Sequence, residues 1–181
     1  MANTPALQKI RPLIPIIAGV TGFLVLLLFV FPPMMEKEPA PAESGSQDQP
    51  QEESFQTEAS LTFFDNDQNP VQTIQIAIAE TELERQQGLM GVTAMHDNQG
   101  MLFIFEVEEE RSFWMANTVL PLDIIYVNSS KEIVSIQRNA KPYSKESLPS
   151  NFPAIYVVEV NAGFCDKYGI HAGYTVSWQR N

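Results

Sequence analysis

Eight short runs of β-branched and aromatic residues lie between positions 61 and 178, and they leave room for only one helix. The runs occupy 61–64, 73–79, 101–105, 112–115, 123–127, 132–137, 155–160 and 174–178. Run 73–79 sets Ile74, Ile76 and Ile78 on one face against Thr73, Gln75 and Ala77 on the other, the period-two pattern of a strand with one buried side. Asn128-Ser129-Ser130-Lys131 is polar and turn-like, so 123–137 reads as a hairpin. Thr81 with Glu84 forms a capping-box pattern, and Gly88 stands where a left-handed cap ends a helix, which predicts one short helix over 80–88. The fold class that follows is mainly β (α+β): a compact antiparallel barrel- or sandwich-like domain carrying one short helix, at 60–181.

Two further zones precede this domain. No charge falls between Arg11 and Glu36, and the almost wholly apolar stretch 13–31 has 19 residues. As a helix it would measure about 28 Å, close to the thickness of a bilayer's hydrocarbon core. Residues 1–35 are therefore expected to be a cytoplasmic tip and a single transmembrane anchor. A buried helix fits poorly, because a charged, proline-rich stretch follows at once. A cleaved signal peptide with release of the domain is the alternative, but its small-residue cleavage site is missing just beyond the apolar run. Lys9 and Arg11 on the near side, against Lys37 on the far side, place the N-terminus in the cytoplasm and the domain outside it, in the envelope. Residues 36–59 hold seven acids, one base and three prolines, too few apolar groups to offset ordering entropy, and read as a disordered tether.

Charge and composition narrow the chemistry. The tether carries −6 and the N-terminal zone +2, so −7 of the total −11 falls on 60–181, which opposes nucleic acid as a partner. A single Cys excludes a disulfide framework, and with only His96 and His171 as imidazoles no histidine-rich metal site or zinc finger can form. Both histidines read as solvent-facing loop residues. Glycine-rich phosphate loops, CxxC pairs, GxSxG elbows and HExxH helices are absent. No metal, cofactor or catalytic residue is assigned. Met90, Met95, Met101 and Met115 with His96 suggest a soft-ligand copper site, but methionine also fills irregular cores, and Cys165 reads as a buried thiol.

The densest unusual text is GMLFIFEVEEERSFWMANTVLPLD at 100–123. Asn117, Thr118 and Asp123 stand there in an apolar neighbourhood and must find partners if buried. One reading has Asn117 and Asp123 capping backbone where the chain enters the hairpin. The other has Met101, Trp114, Met115, Asn117, Thr118 and Asp123 lining a pocket for a small polar ligand or an envelope glycan. Glu84, Asp123 and Glu159 each lie beside an apolar segment where desolvation can raise a carboxyl pKa, so the enzyme alternative is a hydrolase using Asp123 with Glu84 or Glu159. A structural or protein-binding envelope module is the third possibility. The acidic run 108–110 reads as a solvated loop.

Several motifs agree in order with one family. ERQQGLM (84–90), GMLFIF (100–105), FWMANT (113–118), PLDIIYV (121–127), YVVEVNAG (156–163) and GIHAGY (169–174) closely resemble the DUF192 family, also called UPF0127. The resemblance spans roughly 73–178. It implies a compact, mainly β domain behind a signal sequence or anchor, and it brings no reaction, cofactor or catalytic residue with it. Two positions depart from the family pattern: Val92 and Ala116 stand where relatives commonly carry cations, which implies weaker anion binding here. Met115, Asn117, Thr118, Pro121 and Asp123 match.

Overall fold

The computed structural model describes residues 55–181. The expected anchor and most of the expected tether lie outside these residues. Among the described residues no helix is long and apolar enough to cross a membrane.

The elements run β1 (Ala59–Phe64), β2 (Pro70–Ala79), α1 (Glu82–Gln87), β3 (Gln99–Phe113), β4 (Leu122–Val127), β5 (Ile133–Ala140), β6 (Leu148–Asn161), α2 (Phe164–Tyr168) and β7 (Thr175–Arg180). All seven strands join one sheet in the order β5-β4-β6-β3-β2-β1-β7. The sheet curls into a half-barrel, and its two edges touch where Glu132 bridges Thr175. There the Ile133 N–H donates to the Tyr174 carbonyl at 2.8 Å and the Val176 N–H to the Lys131 carbonyl at 2.9 Å.

The mainly β expectation holds, with three differences in detail. The β2–β3 pair is parallel. Parallel neighbours cannot be joined by a tight turn, and the crossover 80–98 carrying α1 supplies the longer connection. Run 101–105 and the first half of run 112–115 belong to one continuous strand, β3, whose acidic middle is exposed at 106–110 and which ends before Trp114. Charged side chains on the solvent side of a curled strand look like a loop in sequence. A second short helix, α2, stands between β6 and β7 with Gly163 and Gly169 in left-handed geometry at its ends.

The predicted helix and hairpin form where expected. In α1 the Thr81 hydroxyl accepts from the Glu84 N–H at 3.3 Å, and the Glu84 carboxylate accepts from the Thr81 N–H at 2.8 Å. The hairpin β4–β5 turns at Asn128, whose side chain accepts from the Glu132 N–H at 2.9 Å. The domain begins a few residues before 60: Phe55 packs against the core, the Glu58 N–H donates to the Ile76 carbonyl at 2.9 Å, and Ala59 is a buried member of β1. Backbone pairing with β2 thus reaches past the end of the apolar run.

Two apolar clusters lie on opposite faces of the central strands. One holds Leu61, Phe63, Ile74, Ile76, Leu102, Ile125, Val158 and Val160 with Phe164 and Cys165 of α2. The other holds Leu89, Met101, Phe103, Met115, Ile124, Tyr126 and Val157. Strand alternation explains the division, since successive side chains of β3, β4 and β6 point to opposite sides.

Candidate functional site

On the side of the second cluster, α1 and the turn after it overhang β3 and leave a cavity of about 500 Å³. Its overhang is fixed locally. Leu89 is buried beside Phe103, and Gly88, at φ +47°, comes so close that an added Cβ would stand 3.2 Å from the Phe103 ring. Arg85 fastens α1 to the sheet by donating to the Ile104 carbonyl at 3.0 Å and to the Glu80 carbonyl. Its guanidinium also pairs with Glu82 at 3.3 Å and Glu106 at 3.4 Å.

The inner wall is aromatic. Phe103 and Phe113 meet edge to face with centroids 5.1 Å apart, and Phe105 stands 6.4 Å from Phe113. The Phe105 ring has two cations over it: Arg111 lies 3.6 Å and Arg85 5.1 Å from its centroid. Trp114, 59% exposed, leaves the end of β3 and forms the rim. Thr118 is buried in the same wall.

Glu159 reaches this cavity from the middle of β6. It lies opposite Met101 on β3 and Ile124 on β4, so its strand is paired along both edges, and only 5% of the residue is exposed. Among the described residues nothing hydrogen-bonds its carboxyl, and burial alone pushes its pKa up to about 8. A carboxyl of this kind keeps its proton at neutral pH and can donate a hydrogen bond, or it can ionise when an opposite charge arrives.

The family model of DUF192, described as "Uncharacterized ACR", matches residues 63–178. The chain belongs to the DUF192 family. A search of curated proteins finds no match to it. Two crystal structures are similar to this DUF192 domain. One, a "putative transcription regulator" from Sinorhizobium meliloti 1021, has a TM-score of 0.64 and 30% identity over 67% of this chain and 93% of its own. The other, a protein of unknown function from Novosphingobium aromaticivorans DSM 12444, has a TM-score of 0.62 and 34% identity over 66% of this chain and 84% of its own.

The DUF192 fold disperses the residues singled out by sequence. Trp114 and Thr118 line the cavity. Met101 and Met115 are buried in the second cluster, and Asn117 is an exposed turn residue at φ +60° whose amide reaches the Met90 sulfur at 4.0 Å. Asp123 is fully buried on the opposite face of the sheet and accepts from the Asn139 N–H at 2.9 Å and the Cys165 N–H at 3.0 Å. Its geometry is that of the backbone-capping role. The carboxylates are not brought together either: Asp123 and Glu159 stand on opposite faces, and Glu84 serves the capping box, whose N–H groups hold its pKa down. His96 and His171 are exposed. Among the described residues no three His, Cys, Asp or Glu side chains gather as a metal-binding group.

Proposed function

We propose that this DUF192 domain is a non-catalytic binding module which holds a small polar ligand in the cavity beneath α1, on the outer face of a membrane to which residues 13–31 tether it. One observation carries the ligand reading: a cavity of about 500 Å³, within the size range of small-molecule sites, has aromatic walls and receives the nearly buried Glu159 carboxyl, which no group among the described residues hydrogen-bonds. The apolar run and its flanking charges support the tether. The regulator description of one structural relative is not carried over, because a domain bearing −7 repels a phosphate backbone. An envelope glycan is the second ligand class, favoured by the exposed Trp114 at the rim, on which a sugar ring can stack.

The test is a panel of mono- and disaccharides, amines and small hydroxylated compounds, screened by thermal shift and Trp fluorescence on the full chain in detergent. Binding is expected to raise Tm and alter Trp114 emission, with Trp114→Phe identifying the signal against Trp178. A flat panel, or shifts that survive Trp114→Ala and Glu159→Leu in folded protein, overturns the ligand reading. Protease accessibility in intact cells tests the tether and its orientation separately.

A further inference from the structure

We propose that the cavity beneath α1 takes organic ammonium ions, with Glu159 as counter-ion and the Phe103–Phe113–Trp114 wall as the surface against which the alkyl groups on nitrogen pack. The inference rests on the reading of this cavity as a ligand site and names the ligand's charge and class.

Four observations converge. First, the buried polar side chains Asp123 and Ser150 are satisfied from within: Asp123 by two backbone N–H groups, and Ser150 by the Arg111 N–H at 2.9 Å and the Phe152 carbonyl at 2.6 Å. Glu159 has no such partner among the described residues, and its carboxyl opens on the cavity instead of being sealed in the core. Second, it cannot turn away to find one, because β6 is hydrogen-bonded to β3 and β4 on either side of it. Third, Arg85, the cation in the cavity lining, is engaged by Glu82, Glu106 and the Ile104 carbonyl, and burial is the sole influence on Glu159. Fourth, the aromatic row of β3 already stacks cations, as the two guanidinium groups over Phe105 show. The ring faces attract positive charge through their quadrupoles, and that attraction grows when water is excluded.

A neutral hydroxyl would satisfy one lone pair of Glu159, whereas an ammonium ion neutralises the charge that burial penalises. An anion would meet the carboxyl and the domain's −7. The titratable groups around Glu159 are few: Glu82 and Arg85 from α1, which pair with each other, and Tyr126 from β4, whose hydroxyl donates to the Leu148 carbonyl and whose pKa is pushed well up by burial. From β3 and the 114–118 turn the cavity receives Phe103, Phe113, Trp114 and Thr118, none of which titrates. Ligand-linked ionisation near neutral pH therefore belongs to Glu159.

Choline is the probe, because its charge is independent of pH, and 3,3-dimethylbutan-1-ol is its uncharged counterpart of nearly the same shape. Titration calorimetry on the full chain in neutral detergent should show choline binding at least about tenfold tighter than the alcohol, since only choline brings a charge to the desolvated carboxylate and ring faces. Affinity should rise up to about tenfold per pH unit from pH 6 and level off above about pH 8, with a proton released to buffer at the lower pH. Glu159→Gln should remove both the preference and the pH dependence, with unfolding curves confirming that it folds. Trp114→Ala should weaken choline binding without removing the pH dependence. Equal binding of choline and the alcohol, or unchanged choline affinity in Glu159→Gln, overturns the proposal. Sugars or alcohols that bind while choline does not overturn it and leave the ligand reading standing, and a failure of every probe ends both.

Discussion

Gly100 of β3 lies against the backbone of Glu159 on β6, so close that a Cβ at position 100 would stand 2.7 Å from the Glu159 carbonyl oxygen. The same Cβ would meet side-chain carbons of Ile74 and Val160, each at 3.0 Å. The carbonyl belongs to a ladder paired on both sides and cannot yield. Gly100→Ala is expected to lower stability by about 1–3 kcal/mol, the cost typical of overpacking, and to weaken ligand binding by displacing β6. Urea unfolding checks the first, and the thermal-shift panel the second.

Asp123 is a structural carboxylate. Asp123→Ala leaves the buried Cys165 N–H without its acceptor and removes the second bond from Asn139, for an expected loss of about 2–3 kcal/mol. Asp123→Asn keeps one acceptor oxygen and should cost less. Equilibrium unfolding of the two variants gives the comparison, and a ligand bound in the cavity should keep its affinity in whichever variant remains folded.

The protonation of Glu159 makes stability fall as pH rises. Its pKa is about 8 in the folded protein against 4.5 when unfolded. Between those values the folded state holds a proton that the unfolded state has lost, so folding is favoured most at the acid end and the advantage declines up to pH 8. The slope for one such group is at most about 1.4 kcal/mol per pH unit. Glu159→Gln should flatten this decline and be more stable than the parent at pH 8. Parallel slopes for the two proteins in denaturant titrations from pH 5 to 9 would show that the carboxyl is hydrated or paired.

Cys165 should be inert. The thiol is fully buried, and burial, reinforced by the Asp123 carboxylate beside it, pushes its pKa well up and keeps it protonated. As the only thiol it permits a clean measurement. A disulfide reagent should fail to label the native protein and react only at the rate of unfolding.

What could be read in advance was local. The Thr81–Glu84 box and the Asn128–Lys131 turn hydrogen-bond within a few residues of themselves, so their patterns suffice to place α1 and the β4–β5 hairpin. The parallel pairing of β2 with β3 depends on contacts between distant segments and leaves no mark in either strand. Phe113 and Trp114 are neighbours in sequence but part company in space, Phe113 into the aromatic wall and Trp114 to the rim, because β3 ends between them. Asp123 is a lone acid among apolar neighbours in sequence, and two backbone donors account for it. Glu159 is a lone acid in the run IYVVEV, a strand buried on both faces, and only its place opposite Met101 and Ile124 shows that it opens on a cavity.

The register of β6 has a consequence for how this site can change over time. Val158 and Val160 face one cluster while Val157 and Glu159 face the other. Sliding the strand by a single residue would thrust the acid into the greasy interior of the half-barrel and present valine to the cavity. An insertion or deletion between Tyr156 and Val160 would therefore exchange the two faces of the strand, whereas a side-chain replacement at 159 alters the cavity and leaves the register intact.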